Sequence, residues 1–277
     1  METEYLNELF TVKDQVIVIT GGGGILCGTM ARGLAKAGAK IAVLDISLEA
    51  AQKVVDDITQ AGGEAIALYA DVLSKETLEK CATQVLEKFG TVDVLINGAG
   101  GNKKEATTTP ELRFFDLPED AFQWVFNLNF IGVLLPTQVF GRYMAEKGKG
   151  IILNIASINA IRPLTNIPAY SAAKAAVKNF TEWLAVHMSQ NYSTQIRVNA
   201  IAPGFFLTNQ NRFLLIDEKT GEMTPRGKTI IDHTPMGRYG DPEELMSTVI
   251  WLLSPGAKFV HGTTVIVDGG FAAFSGV

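Results

Sequence analysis

Short apolar runs recur along the chain between segments whose apolar residues return every three to four positions. The runs Gln15–Thr20, Lys40–Asp45, Glu64–Ala70, Val92–Asn97, Gly150–Ala156, Thr194–Ile201 and Thr263–Val267 are mostly rich in Val and Ile and apolar on both faces. That pattern predicts strands of a parallel sheet covered on both sides. The stretches Leu48–Ala61, Ser74–Phe89 and Pro168–Gln190 carry helical periodicity, and Ser74 with Thr77 and Asp241-Pro-Glu-Glu244 read as helix starts. Strict alternation of strand and helix predicts an α/β fold, a doubly wound parallel sheet of about seven strands with right-handed crossovers. No internal repeat or linker divides the 277 residues, so 1–277 reads as a single domain. Two polar stretches, Gly100–Thr109 and Asn209–His233, follow the fourth and sixth strands. Loops at the carboxyl ends of strands are where ligands bind in such sheets, and residues 208–235 are expected to form a substrate lid.

The first βα turn is Thr20-Gly21-Gly22-Gly23-Gly24. Glycines let the backbone approach a pyrophosphate, and the following helix offers free amides and the positive end of its dipole. Asp45 ends the second strand, 24 residues after Gly21. A carboxylate there can accept both ribose hydroxyls and repels a 2′-phosphate, and no basic residue follows it directly. NAD(H) is therefore expected in preference to NADP(H). Asp71-Val72 closes the third strand, where adenine is expected, and Asn97-Gly98-Ala99-Gly100 closes the fourth, where small residues admit the nicotinamide ribose.

Tyr170 and Lys174 stand four residues apart in Tyr-Ser-Ala-Ala-Lys, on one face of a predicted helix, and Ser157 lies thirteen residues upstream at the end of the fifth strand. An ammonium beside a phenol favours the phenolate, so the pair predicts a proton donor and acceptor for an alcohol or ketone oxygen. Taken alone, such a pair is an ordinary helix-surface contact. It gains meaning from the nucleotide turn upstream.

The net charge of −5 and pI near 5.3 argue against nucleic acid or an anionic membrane as partner. Three His residues show no metal-ligand spacing, and Cys27 and Cys81 make no disulfide framework. No unbroken apolar stretch reaches the ~18 residues of a span, and Met-Glu-Thr-Glu-Tyr resembles no signal peptide. A cytoplasmic protein without metal is expected.

Together these residues resemble the short-chain dehydrogenase/reductase family, of the type built from one Rossmann-like domain, over about Lys13 to Gly270. The Gly-rich turn resembles Thr20–Gly28, the Asn-Asn-Ala-Gly motif is similar to Asn97–Gly100, and the family's helix asparagine falls on Asn129. Its serine matches Ser157, its Tyr-x-x-x-Lys pair Tyr170 and Lys174, and its Pro-Gly motif Pro203-Gly204. The resemblance implies Tyr170 as general acid or base, with Lys174 lowering its pKa and holding ribose hydroxyls. It implies Ser157 orienting the substrate oxygen and Asn129 holding a proton relay. It further implies cofactor contacts from Gly21, Gly23, Gly24, Ile25 and Leu26, from Asp45, Asp71 and Val72, and from Asn97, Gly98 and Ala99. Tyr170, Lys174, Pro203, Gly204, Phe206 and Thr208 complete them. Two departures stand out: Ile25 and Cys27 replace glycines of the family turn, and Gly98 replaces an asparagine.

The expected substrate is a sugar acid, a small molecule bearing a carboxylate. Candidate contacts are Asn102, Lys103, Asn159, Arg162, Phe205, Asn209 and Arg212, around the loops beside Ser157 and Pro203-Gly204. The run Ile161–Tyr170, the run Pro203–Arg212 and the ending Asp-Gly-Gly-Phe-Ala-Ala-Phe resemble the D-mannonate oxidoreductase (fructuronate reductase) subgroup. That implies interconversion of D-fructuronate and D-mannonate. A gluconate 5-dehydrogenase-like ketogluconate reductase is the alternative enzyme. A non-catalytic dinucleotide sensor is the alternative from another class. By the same resemblance, Phe122–Met144 and Ile167–Met188 are expected to pair with further copies in a homotetramer.

Overall fold

The computed structural model describes residues 2–207, 215–217 and 220–276. It forms a seven-stranded, all-parallel sheet in the order β3-β2-β1-β4-β5-β6-β7. The strands are β1 (Val16–Thr20), β2 (Lys40–Asp45), β3 (Glu64–Tyr69), β4 (Val94–Asn97), β5 (Gly150–Ile155), β6 (Ile196–Pro203) and β7 (Thr264–Val267). Alternate residues of each central strand feed two separate cores. Ile17 and Ile19 of β1 join one, Val16 and Val18 the other, and all four are buried. This double burial is why the run is apolar at every position rather than at every second one.

Helices α2 (Ile25–Lys36), α3 (Leu48–Gln60) and α9 (Met246–Leu253) cover the first core; α4 (Lys75–Phe89), α6 (Gly132–Lys147) and α7 (Pro168–Asn191) cover the second. Local chemistry sets their ends. Ser47 Oγ accepts from Ala50 N and Ser74 Oγ from Thr77 N, satisfying first-turn amides of α3 and α4. Pro168 opens α7, where its missing N–H costs nothing. Asp241 and Glu244 form a capping box, which opens a short 3₁₀ turn leading into α9. Helices α1 (Glu2–Phe10), α5 (Glu119–Phe126) and α8 (Pro225–Asp232) complete the described set, α8 lying inside the expected lid.

From Glu119 to Lys147 the chain is one helical stretch of 29 residues, long and apolar enough by composition to cross a membrane, and half of its most apolar window is buried inside the fold. In its middle the helix widens into a π turn over Asn127–Ile131. Such turns are rare and recur at functional sites. This one holds Asn129.

Candidate active site

The strand order reverses direction at β1 and β4, opening a crevice at their carboxyl ends, where this class of sheet binds ligands. A cleft of about 480 Å³ lies there. Gly21, Gly23, Gly24, Ile25 and Leu26 line it from the first turn, Asp45, Asp71 and Val72 from the ends of β2 and β3, and Gly98 and Ala99 from the end of β4. Ten of the expected cofactor residues are thus brought together. Gly21 is obligatory: its φ is 65°, and a Cβ there would lie 2.8 Å from Ala99 Cα. Thr20 Oγ1 accepts from Gly98 N at 3.1 Å and Ala99 N at 3.3 Å, tying the two turns together. Asp45 accepts from Gly23 N through Oδ2 and from Ser47 N through Oδ1, leaving each carboxylate oxygen a further lone pair. Gly24 caps α2 without a side-chain partner, so the first-turn amides of Ile25 and Leu26 lack intrahelical acceptors. This donor set, with a carboxylate placed for ribose hydroxyls, fits a dinucleotide.

Two of the departures, Cys27 in this turn and Gly98 at the end of β4, share one space. A Cβ on Gly98 would coincide with Cys27 Sγ, so the cysteine fills the space that a side chain at 98 would need. Among the described residues only Asp14 has positive φ without being glycine, so Ile25 and Cys27 sit in the helix without backbone strain. Burial pushes the Cys27 thiol up to about 12, which makes it a neutral packing group.

Asn97 is placed differently from its expected role. Its amide turns into the sheet, donating to Thr137 Oγ1 at 3.0 Å and Asn154 Oδ1 at 2.9 Å, and Asn154 donates on to Thr181 Oγ1. It braces β4 against β5 and α6, and through Asn154 against α7, and is absent from the cleft wall. Phe206 also departs from expectation. It is buried, bridges to Gly240, and lines a separate cavity of about 210 Å³. Gly204 donates to Val267 O, and a Cβ there would lie 2.6 Å from Asp268 Cβ, so glycine lets β7 approach the end of β6 at Pro203.

The trio sits beside the cleft. Ser157 Oγ accepts from both the backbone N and Nδ2 of Asn159, each at 3.2 Å. Two donors on one hydroxyl leave its own proton free to be given away. Asn159, expected as a substrate contact, thus bonds directly to the Ser157 hydroxyl. It is buried, and its Oδ1 accepts from Ser171 Oγ at 2.8 Å and Leu164 N. Lys174 is 4% exposed and donates to Ile155 O at 2.8 Å, its Nζ lying 5.5 Å from the Tyr170 ring centre. Asn129 Nδ2 donates to Gly101 O at 2.7 Å and Val125 O at 2.8 Å, and its Oδ1 accepts from Gly101 N. A Cβ on Gly100 would meet both Asn129 Oδ1 and Lys174 Nζ, so these two groups converge on the same strip of backbone.

Tyr170 is held above the ordinary phenol value: burial raises it, and a hydrogen-bonding contact with Ser157 pulls the other way. Burial also brings the Lys174 ammonium down to about 8.

The remaining substrate candidates divide. Lys103 Nζ stacks over the Trp124 ring of α5 at 4.1 Å, and Asn102 Nδ2 donates to Thr107 Oγ1 within its own loop. Arg162 gives Nη1 to Phe274 O at 2.9 Å, and Phe205 packs edge-on against Phe271 at 5.1 Å. Thr208, Asn209 and Arg212 lie outside the described residues. Sequence reasoning missed the supports Thr20, Asn154, Thr181 and Ser171. Their signal is a polar residue within or beside an otherwise apolar strand or helix face, and it identifies no partner.

A family model described as enoyl-(acyl carrier protein) reductase matches residues 26–272. An uncharacterised oxidoreductase, UxuB, of Bacillus subtilis (strain 168) is 50% identical over 269 residues, 94% of this chain and 95% of its own. A crystal structure of a candidate D-mannonate oxidoreductase from Haemophilus influenza, with NAD bound, superposes with a TM-score of 0.90 at 47% identity, covering 96% of this chain and 98% of that one. A gluconate 5-dehydrogenase from Burkholderia cenocepacia J2315, in complex with NADP and tartrate, has a TM-score of 0.85 at 29% identity, covering 97% and 99%.

Proposed function

The chain belongs to the short-chain dehydrogenase/reductase family and is an oxidoreductase acting on CH–OH groups, and from that premise we propose that it interconverts D-mannonate and D-fructuronate with NAD(H). The observation that carries the chemistry is the doubly donated Ser157 hydroxyl beside Tyr170 and the buried Lys174. The candidate D-mannonate oxidoreductase of H. influenza supports the substrate, and Asp45 in the cleft supports NAD(H) over NADP(H). Bound NAD(H) would be held by Gly21, Gly24, the first-turn amides of α2, Asp45 and Lys174, and would supply the hydride acceptor or donor. Ser157 orients the substrate oxygen by donating its free proton to it and stabilises charge developing there. Tyr170 gives its phenolic proton to that oxygen in reduction and takes it in oxidation. Asn129 fixes the Gly100-Gly101 backbone beside Lys174 and so keeps a path for that proton toward solvent.

A second reading, reduction of a ketogluconate, is favoured by the gluconate 5-dehydrogenase of B. cenocepacia. Following NADH and NADPH absorbance over a panel of hexuronates and ketogluconates separates the two. Turnover confined to ketogluconates, or a preference for NADPH, overturns the first. A homotetramer is part of the proposal. Trp183 and Val186 of α7 are each more than half exposed, beside a groove between α6 and α7 lined by Leu134, Phe180 and Leu184. Light scattering that returns a monomer mass removes it.

A further inference from the structure

The carboxyl-terminal segment beyond β7 has no role in the chemistry above, yet it is tied to residues close in sequence to Ser157 and to Pro203-Gly204. Asp268 accepts from Gly270 N at 2.8 Å and Ala272 N at 2.7 Å, and Gly269 and Gly270 both take positive φ, turning the chain back over the sheet's carboxyl edge. Met236 N donates to Gly269 O, fixing this turn to the chain just beyond α8. The segment then meets three further elements. Phe271 packs against Phe205, which follows Pro203-Gly204, with ring centres 5.1 Å apart. Phe271 and Phe274 lie 6.4 Å and 6.2 Å from His233, at the end of α8. Phe274 O accepts from Arg162 Nη1, five residues beyond Ser157. His233 Nδ1 lies 2.8 Å from Thr229 O, so the proton on that nitrogen is committed and Nε2 is left for a ligand.

We propose that residues 271–274 form one wall of the substrate pocket and that Phe271, Phe274 and His233 select the substrate. Aromatic faces suit the C–H side of a polyol chain, and the His233 Nε2 suits a hydroxyl or carboxylate oxygen. Arg162 acts as a positioning residue: its bond to Phe274 O ties the wall to the loop that follows Ser157. The inference rests on the reading of this site as one for a sugar acid.

The test compares the wild-type chain with a form ending at Gly270 and with Phe274→Ala, which leaves the backbone intact if the truncation fails to fold. With D-fructuronate, kcat/KM is expected to fall by about 10- to 200-fold, carried mainly by KM, while the NADH Kd stays within twofold. Values of kcat/KM within twofold of wild type in folded protein overturn the proposal, as does an NADH Kd that rises in step. If wild type turns over another alcohol instead, the mannonate assignment fails and the same comparison is made on that substrate. If it turns over none, amide exchange decides. Faster exchange of Pro225–Asp232 in Phe274→Ala supports the wall, and unchanged exchange overturns it.

Discussion

On the nucleotide side of the cleft, the bracing groups are buried, three of them in the sheet and one on α2. Thr20 pins the β4 turn, Asn97 and Asn154 brace neighbouring strands, and Cys27 fills the space above Gly98. On the substrate side the walls come from elements distant in sequence that meet through ring edges and one exposed hydrogen bond, Arg162 to Phe274. A rigid half presents the reagent, and a lightly held half surrounds whatever is to be oxidised or reduced. Substrate range can then change without disturbing the cofactor turn.

The comparison breaks most sharply at Tyr170, which belongs to neither half but serves both. Tyr170→Phe is expected to lower kcat by about 10²- to 10⁴-fold while NADH binding, followed by fluorescence, is unchanged. Near-normal turnover would remove the proton-transfer assignment. Asp45→Ala tests the nucleotide half alone. Losing a charged acceptor costs about 1.5–3 kcal/mol, so NADH affinity is expected to weaken by about 10- to 150-fold, with NADPH narrowing the gap. Equal affinity for both cofactors in the wild type would refute the role.

Lys174 gives a pH signature. With its folded value near 8 and an ordinary value of 10.5, the lysine loses its charge in the folded protein first. NADH binding that depends on the ammonium is expected to weaken as pH rises through about 8, by up to tenfold per pH unit, and Lys174→Met should flatten that profile. Stability moves the other way. Between about 8 and 10.5 the unfolded chain binds the extra proton, so this group's contribution to stability increases with pH in that window and is at its most unfavourable below it.

The smallest expected effect is in packing. Gly98→Asn overfills the Cys27 contact and is expected to cost about 1–3 kcal/mol of unfolding free energy. Adding Cys27→Gly should recover part of it, the Thr20 carbonyl still lying 2.9 Å from a Cβ at 98, and additive losses in the double variant would show that the two sites do not compete for the same space.

How legible each half was in the sequence follows from how local its signals are. The β1 run and the glycines after it lie within ten residues, and their pattern needs no partner to be read. Asn97 misled because a strand's last residue can face either the cleft or the sheet, and only Thr137 and Asn154 show which. Asn159, two residues from Ser157, reads as a substrate contact, and nothing near it in sequence shows that Ser171, on α7, bonds its Oδ1. Arg162 and Phe274 are 112 residues apart, and nothing in either neighbourhood names the other. The π turn at Asn129 left no trace in an apolar helix pattern that runs straight through it.

The contact between Cys27 and Gly98 makes the two positions interdependent. A cysteine at 27 and a side chain at 98 would claim one volume, so a substitution at either position changes what the other tolerates.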